Sequence, residues 1–325
     1  MRLYNCDQCG KTAFFHNLTC VCGNALAYDP EADVMKTNVH GCKNRVAIGC
    51  NWVSDNEAQV DLCRSCAMTD VIPDTYLTDN IQLWSKAEAA KRWVLANLAR
   101  WGWFTDADPG ERPRFHLLAE QTSIGDKNII MGHDEGLITI NVEESDPVTR
   151  LERQTDMSER LRTMIAHFRH EIAHFLFVRL SRTNGFVPKF RAMFGDETED
   201  YGDALKAHYE NGPPADWPVN HITKYASSHP HEDWAETTAH VMHLTDLLDS
   251  ADAAGLSLEA DNTLSDAYAV TDSAALIQAG ADYGLSLNHV NRSIGLADIY
   301  PFVISDAVRD KLIFAHQNIS TLRMR

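Results

Sequence analysis

Apolar residues recur at three- and four-residue spacing over 158–182, with Leu161, Ile165, Phe168, Ile172, Phe175 and Leu176 on one face, which predicts a long amphipathic helix. Ser158 stands at its start as an N-cap, and Gly185 follows Asn184 as a stop. A second helix is predicted from Pro230 to about Leu248, because proline is tolerated in a first turn and Ser227 and Ser228 precede it as capping residues. An Ala-, Leu- and Trp-rich segment over 85–101 predicts a third. Residues 115–118 and the β-branched run 136–141 read as strands, with Pro109-Gly110 and Pro113 turning the chain before the first. The stretch 69–80, with Pro73 and several Asp and Thr residues, reads as a linker, and Trp93, Trp101 and Trp103 are assigned to the core. No internal repeat or low-complexity tract interrupts this order. It predicts an α+β fold, rich in helix and with a small sheet.

Composition narrows the class. An apolar fraction of 44% and a charged fraction of 23% are ordinary for a globular protein. No apolar run approaches the roughly 20 residues needed to span a bilayer. The net charge of −17, from 29 basic and 46 acidic side chains, argues against a nucleic-acid partner and against an anionic membrane surface. It reads as solubility, with a cationic substrate or partner as the alternative. Met1–Asn5 leads straight into a cysteine pair without an apolar segment of export-signal type, which predicts a cytoplasmic location.

All eight cysteines lie in the first 66 residues, and in an unexported chain such clustering points to metal rather than disulfides. Cys6-Asp-Gln-Cys9 and Cys63-Arg-Ser-Cys66 are C-x-x-C knuckles whose turn aims two thiolates at one ion. Sequence proximity assigns Cys6, Cys9, Cys20 and Cys22 to one four-cysteine site and Cys42, Cys50, Cys63 and Cys66 to a second. Cys20-Val-Cys22 is one residue shorter than a usual knuckle, so the first site is either strained or recruits His16. Zinc is the expected metal, an iron–sulfur cluster the chemical alternative. Filled by four thiolates, such sites fold a module rather than catalyse. Residues 1–70 carry six Lys/Arg against eight Asp/Glu and no basic patch, so the module is expected to bind protein rather than DNA. This divides the chain into a ribbon module over 1–70 and a second domain over 71–325.

Within the longest helix stands His170-Glu171-Ile-Ala-His174. Positions i and i+4 lie about 40° apart around a helix, so both imidazoles can share one zinc, with Glu171 beside a metal-activated water as general base. A catalytic zinc takes three protein ligands and keeps one position open. No third histidine follows at metzincin spacing, so the third ligand is sought on the second helix, where Glu232 and Glu236 share a face. That pair suits a gluzincin arrangement: Glu232 on the metal, Glu236 orienting a ligand histidine through its other ring nitrogen. Asp233, about 100° away, is read as a helix N-terminal charge. Tyr225 is a candidate oxyanion donor, with core packing as the alternative. His167 is assigned to packing or a backbone bond, with an approach to the metal site as the alternative, and His240 to a contact with Glu236; His229, His231 and His243 are placed on the surface or at caps. The 136–141 strand is read either as an edge that aligns an extended peptide or as plain structure.

The segment from Tyr225 through Glu232 and Glu236 to His243 is similar to the corresponding segment of anthrax lethal factor, which implies that Tyr225 assists catalysis and that Glu232 binds zinc. More broadly, the chain resembles the bacterial family of zinc-binding metallopeptidases that carry an N-terminal zinc-ribbon domain. The resemblance rests on Cys50-Asn-Trp52, Gly132-His133, Ile138–Asn141, His167–His174, Phe194-Gly-Asp196 with Asp200-Tyr201, His229–Glu236 and Tyr300–Val303, and covers nearly the whole chain. It implies a zincin-like metallopeptidase domain with one catalytic and two structural zinc ions, acting on a peptide or protein substrate. The short Cys20–Cys22 spacing departs from the family's two-residue interval. Two other classes fit the same residues: an adaptor whose ribbons recruit a protein partner, and a zinc hydrolase of a non-peptide amide.

Overall fold

Short antiparallel β-pairs carry the cysteines. In the computed structural model, which describes residues 2–151, 163–258, 266–299 and 304–320, β1 (Tyr4–Asn5) pairs with β2 (Thr12–Ala13). Cys6 and Cys9 sit in the turn between them, and Gly10 closes it at φ +67°, a backbone region that favours glycine. β3 (Ala27–Asp29) pairs with β4 (Val34–Lys36). Two single turns follow, α1 (Arg45–Ile48) and α2 (Arg64–Ala67). Cys63 caps the second, its Sγ accepting from the Cys66 amide at 3.5 Å.

The chain then forms β5 (Thr69–Val71), α3 (Thr78–Arg100), β6 (Arg114–Leu118), the β7 (Gln121–Thr122) and β8 (Gly125–Asp126) pair, β9 (Gly132–Asp134) and β10 (Leu137–Asn141). The four-stranded sheet runs β5-β6-β10-β9. Ile138 stands opposite Phe115 in the parallel β10–β6 ladder and opposite His133 in the antiparallel β10–β9 ladder. The strand read as a peptide-aligning edge is therefore internal; β9 covers it, and its three residues are too short and too polar to announce a strand. The segment read as a linker is β5 plus the first turn of α3. That helix starts seven residues before its apolar pattern does, because Asn80 is buried and donates to the carbonyls of Asp74 and Gln121, at 2.9 Å each. Phe115, Leu117, Ile138 and Ile140 are fully enclosed, as are Trp101 and Trp103. Trp93 stacks on His16 instead.

Two compact units divide the chain, Met1–Phe168 and Arg169–Arg325, and the boundary falls within α4 (Met164–Ser181). The expected cap Ser158 and the apolar Leu161 lie outside the described residues, as does Tyr300–Val303. The second unit continues with α5 (Phe186–Phe194), α6 (Tyr201–Asn211), α7 (Trp217–Asn220), a 3-10 turn over Tyr225–Ser228, α8 (Pro230–Ala253), α9 (Ser273–Ser293) and α10 (Asp306–Ile319).

The second unit is built around α8, which begins at the expected proline and is capped by His229, whose ring nitrogen accepts from the His231 amide at 3.1 Å, rather than by either preceding serine. Trp234 is fully buried among Phe186, Phe190, Phe194 and Phe314, and its indole N–H donates to the Ala173 carbonyl on α4 at 2.9 Å. A side chain at Gly280 would meet Leu244 at 2.9 Å, so glycine is what lets α9 approach α8 this closely. Asp233 stands in the first turn of α8, as expected of a helix N-terminal charge, but it is buried, and Lys311 of α10 donates to it at 2.5 Å. Burial raises its pKa to about 6 in spite of that partner. Helix-rich α+β is the class observed. Among the described residues no helix is long and apolar enough to cross a membrane.

Candidate metal centres

One helical turn separates His170 from His174, and α4 directs both rings to the same point: their Nε2 atoms stand 3.1 Å apart. Glu232, in the first turn of α8, meets them there, with Oε2 3.0 Å from His170 Nε2 and Oε1 3.4 Å from His174 Nε2. Ligand atoms about 2.0–2.1 Å from a tetrahedral zinc stand roughly 3.3–3.4 Å apart, so these separations suit one ion. The chemistry of the donors fits as well. Glu236 Oε1 lies 2.7 Å from His170 Nδ1, which fixes the proton of the neutral ring on Nδ1 and turns the Nε2 lone pair towards the other two donors. Three lone-pair donors facing one point leave a place for a cation. Protein electrostatics carry the same signature. Burial opposes charge on His170, yet the carboxylates of Glu232 and Glu236 outweigh it and hold its pKa well above the ordinary histidine value. Burial likewise opposes ionisation of Glu232, and His174 and His170 nevertheless keep it well below the usual carboxylate range.

Glu171 is buried beside this cluster, and its Oε2 receives no hydrogen bond. Tyr225 tilts over the His170 ring, centroid to centroid 6.1 Å. Burial and the nearby Glu232 charge raise its pKa, so its phenol keeps a proton to donate. The structure thus brings together every residue of the predicted constellation that lies in the second unit.

It also adds one that sequence reasoning missed. The Tyr201 hydroxyl, from the start of α6, donates to Glu232 Oε1 at 2.6 Å. Thirty-one residues separate the two, and no periodicity links them.

The remaining histidines have other work. His240 meets Glu236 as expected, its Nδ1 2.8 Å from the Glu236 backbone carbonyl. His167 faces Glu144 at 3.6 Å. His229 caps α8 but is buried, His231 sets its ring edge-on to Phe177, and His243 meets Arg169 at 2.5 Å.

In the first unit the cysteines form the two expected groups, Cys6, Cys9, Cys20 and Cys22, and Cys42, Cys50, Cys63 and Cys66. None is in a disulfide. Thiolates about 2.3 Å from a tetrahedral zinc stand roughly 3.8 Å apart. Observed pairs are Cys6–Cys22 at 3.9 Å, Cys9–Cys20 at 3.5 Å, Cys50–Cys63 at 3.6 Å and Cys50–Cys66 at 3.8 Å. The short Cys20–Cys22 interval therefore still brings both sulfurs in. His16 stays out, its ring against Trp93 and Phe15.

Comparison with known proteins agrees with this chemistry. Residues 80–318 match a family described as "Putative zinc-binding metallo-peptidase", and residues 3–40 and 34–77 each match a zinc-ribbon domain. An uncharacterized protein of Mycobacterium tuberculosis and one of Mycobacterium bovis are each 35% identical to the chain over 326 residues, covering 97% of it and 94% of the relative. No solved structure matches it significantly. The chain belongs to the zinc-binding metallopeptidase family, with zinc-ribbon sequence at its N-terminus.

Proposed function

We propose that the protein is a zinc-dependent peptidase in which His170, His174 and Glu232 hold the catalytic metal and Glu171 is the general base. The observation that carries this reading is the convergence of two Nε2 atoms and a carboxylate on one point, with the His170 proton held on the far nitrogen by Glu236. When bound, zinc supplies Lewis-acid chemistry, acidifying a water and polarising a carbonyl. Glu171, whose Oε2 is without a hydrogen bond, takes the water's proton and passes it to the departing amine. Tyr225, still protonated, donates to the carbonyl oxygen as charge grows on it. Glu236 keeps His170 in the tautomer that this requires.

On the same reading, residues 1–70 form a ribbon module with two structural zinc ions and residues 71–325 the peptidase domain. The substrate is a peptide or protein, the ribbons offer a protein-binding face, and the site of action is the cytoplasm. Glu171→Gln tests the assignment: it should keep its metal and lose hydrolysis of a peptide library by roughly 10²–10⁴-fold. Cleavage at the wild-type rate would sink it.

A further inference from the structure

Helix α6 is an unusual neighbour for a metal site, because none of its residues is buried. Its described contacts with the rest of the second unit converge on the residues assigned above to catalysis. Tyr201 donates to Glu232 Oε1 at 2.6 Å and sets its ring edge-on to His229, the cap of α8, at 5.2 Å. Two turns further along, His208 meets Tyr225 edge-on at 6.3 Å. Tyr201 and Tyr225 also influence each other electrostatically through their phenols. Positions 201 and 208 are two turns apart, so both point down the same side of the helix.

The hydrogen bond to Glu232 is selective. Tyr201 donates to Oε1, which stands 3.4 Å from His174 Nε2, and not to Oε2, which stands 3.0 Å from His170 Nε2. A carboxylate with one oxygen held by a phenol has its rotation about the side-chain bonds restrained, which keeps it turned towards the two imidazoles.

We propose that Tyr201 is a positioning residue that fixes the Glu232 carboxylate in the orientation facing His170 and His174 and thereby couples docking of α6 to occupancy of the metal site. The proposal rests on the reading of His170, His174 and Glu232 as zinc ligands. Coupling runs both ways: an ion that orders Glu232 strengthens the seat of Tyr201, and a seated Tyr201 favours the ion by the same factor. An exposed helix without a buried residue is the kind of element that opens locally at small cost, so its docking can respond to a change of this size.

The test uses the full-length zinc-loaded protein and the variant Tyr201→Phe, which keeps the ring and removes the hydroxyl. Competition with a chelator should show zinc at this site bound about tenfold or more weakly, with the metal on the eight cysteines retained. Cobalt substituted at the site should give shifted visible absorption bands in the variant, a signature that packing alone would not move. Amide exchange over residues 201–211 should slow on zinc loading in the wild type and lose that dependence in the variant. Unchanged affinity together with an unchanged cobalt spectrum overturns the proposal. The double variant His170→Ala/His174→Ala separates the two levels: if it keeps the full wild-type zinc content, the metal-site reading itself fails, whatever Tyr201→Phe does.

Discussion

Replacing Glu236 isolates what an orienting carboxylate contributes to this site. Its Oε1 lies 2.7 Å from His170 Nδ1, and both side chains are mostly enclosed. In Glu236→Ala the metal-free protein can adapt, because His170 can release its Nδ1 proton and keep the one on Nε2, where Glu232 Oε2 waits 3.0 Å away. The metal-bound protein cannot, since Nε2 must offer its lone pair and Nδ1–H is left buried without an acceptor. An unsatisfied buried donor costs about 1–3 kcal/mol, and the whole of that falls on metal affinity, a loss of about 5- to 150-fold. Glu236→Gln keeps an acceptor oxygen in place and gives up only its charge, so its loss should be smaller. The expected order of zinc affinity is therefore wild type, then Gln, then Ala. Chelator competition reads that order, with the cysteine-bound metal as internal reference, and thermal melts of the metal-free proteins should differ far less than the affinities do. If Glu236→Ala bound zinc as tightly as wild type, the tautomer argument would be refuted.

Acid sensitivity has a source distinct from the metal. His316 is fully buried, its Nδ1 2.7 Å from Ser273 Oγ, and burial pushes its pKa down from 6.5 to about 4. The folded state refuses a proton that the unfolded chain accepts, so this group contributes stability that is intact above pH 6.5 and lost as pH falls towards 4, about 3 kcal/mol in all. Denaturant unfolding of wild type and His316→Gln at several pH values should show a shallower acid slope in the variant; equal slopes would exclude His316 as the cause. For the cysteine sites, exposure sets the order of metal loss. Cys9 and Cys22 are exposed, whereas Cys42, Cys50, Cys63 and Cys66 are all buried, so a chelator should strip the first group faster, in two resolved phases. Cys22→Ser should abolish the fast phase alone, and a single phase in the wild type would contradict the ordering.

The parts of this protein that were legible in its sequence are those whose information is local. Two imidazoles four residues apart on a helix point one way whatever surrounds them, and so do Glu232 and Glu236. The two cysteine groups follow from proximity along the chain. What was not legible depends on partners far away. Asp233 reads as a helix-start charge, which it is, but nothing local announces that it is buried and bonded to Lys311, seventy-eight residues on. The 136–141 strand reads equally as an edge or as plain structure until the short, polar β9 is seen covering it, which leaves the second reading. Tyr201 carries no periodic signal, because its hydrogen bond to Glu232 is with a side chain on another helix.

The first two turns of α8 show why so much of the site could be read from so few residues. Successive residues of a helix point about 100° apart, so neighbours serve different surroundings. Glu232 faces the two histidines, Asp233 turns to Lys311, Trp234 enters the aromatic core and bonds the Ala173 carbonyl, and Glu236 returns to the face of Glu232 and holds His170. Trp234 fixes α8 against the helix that carries both histidines, since Ala173 lies between them in sequence. The depth at which α8 packs and the distance from Glu232 to His170 are therefore set by the same few bonds. A substitution that loosens Trp234 should displace the third donor while leaving every proposed ligand in the sequence intact.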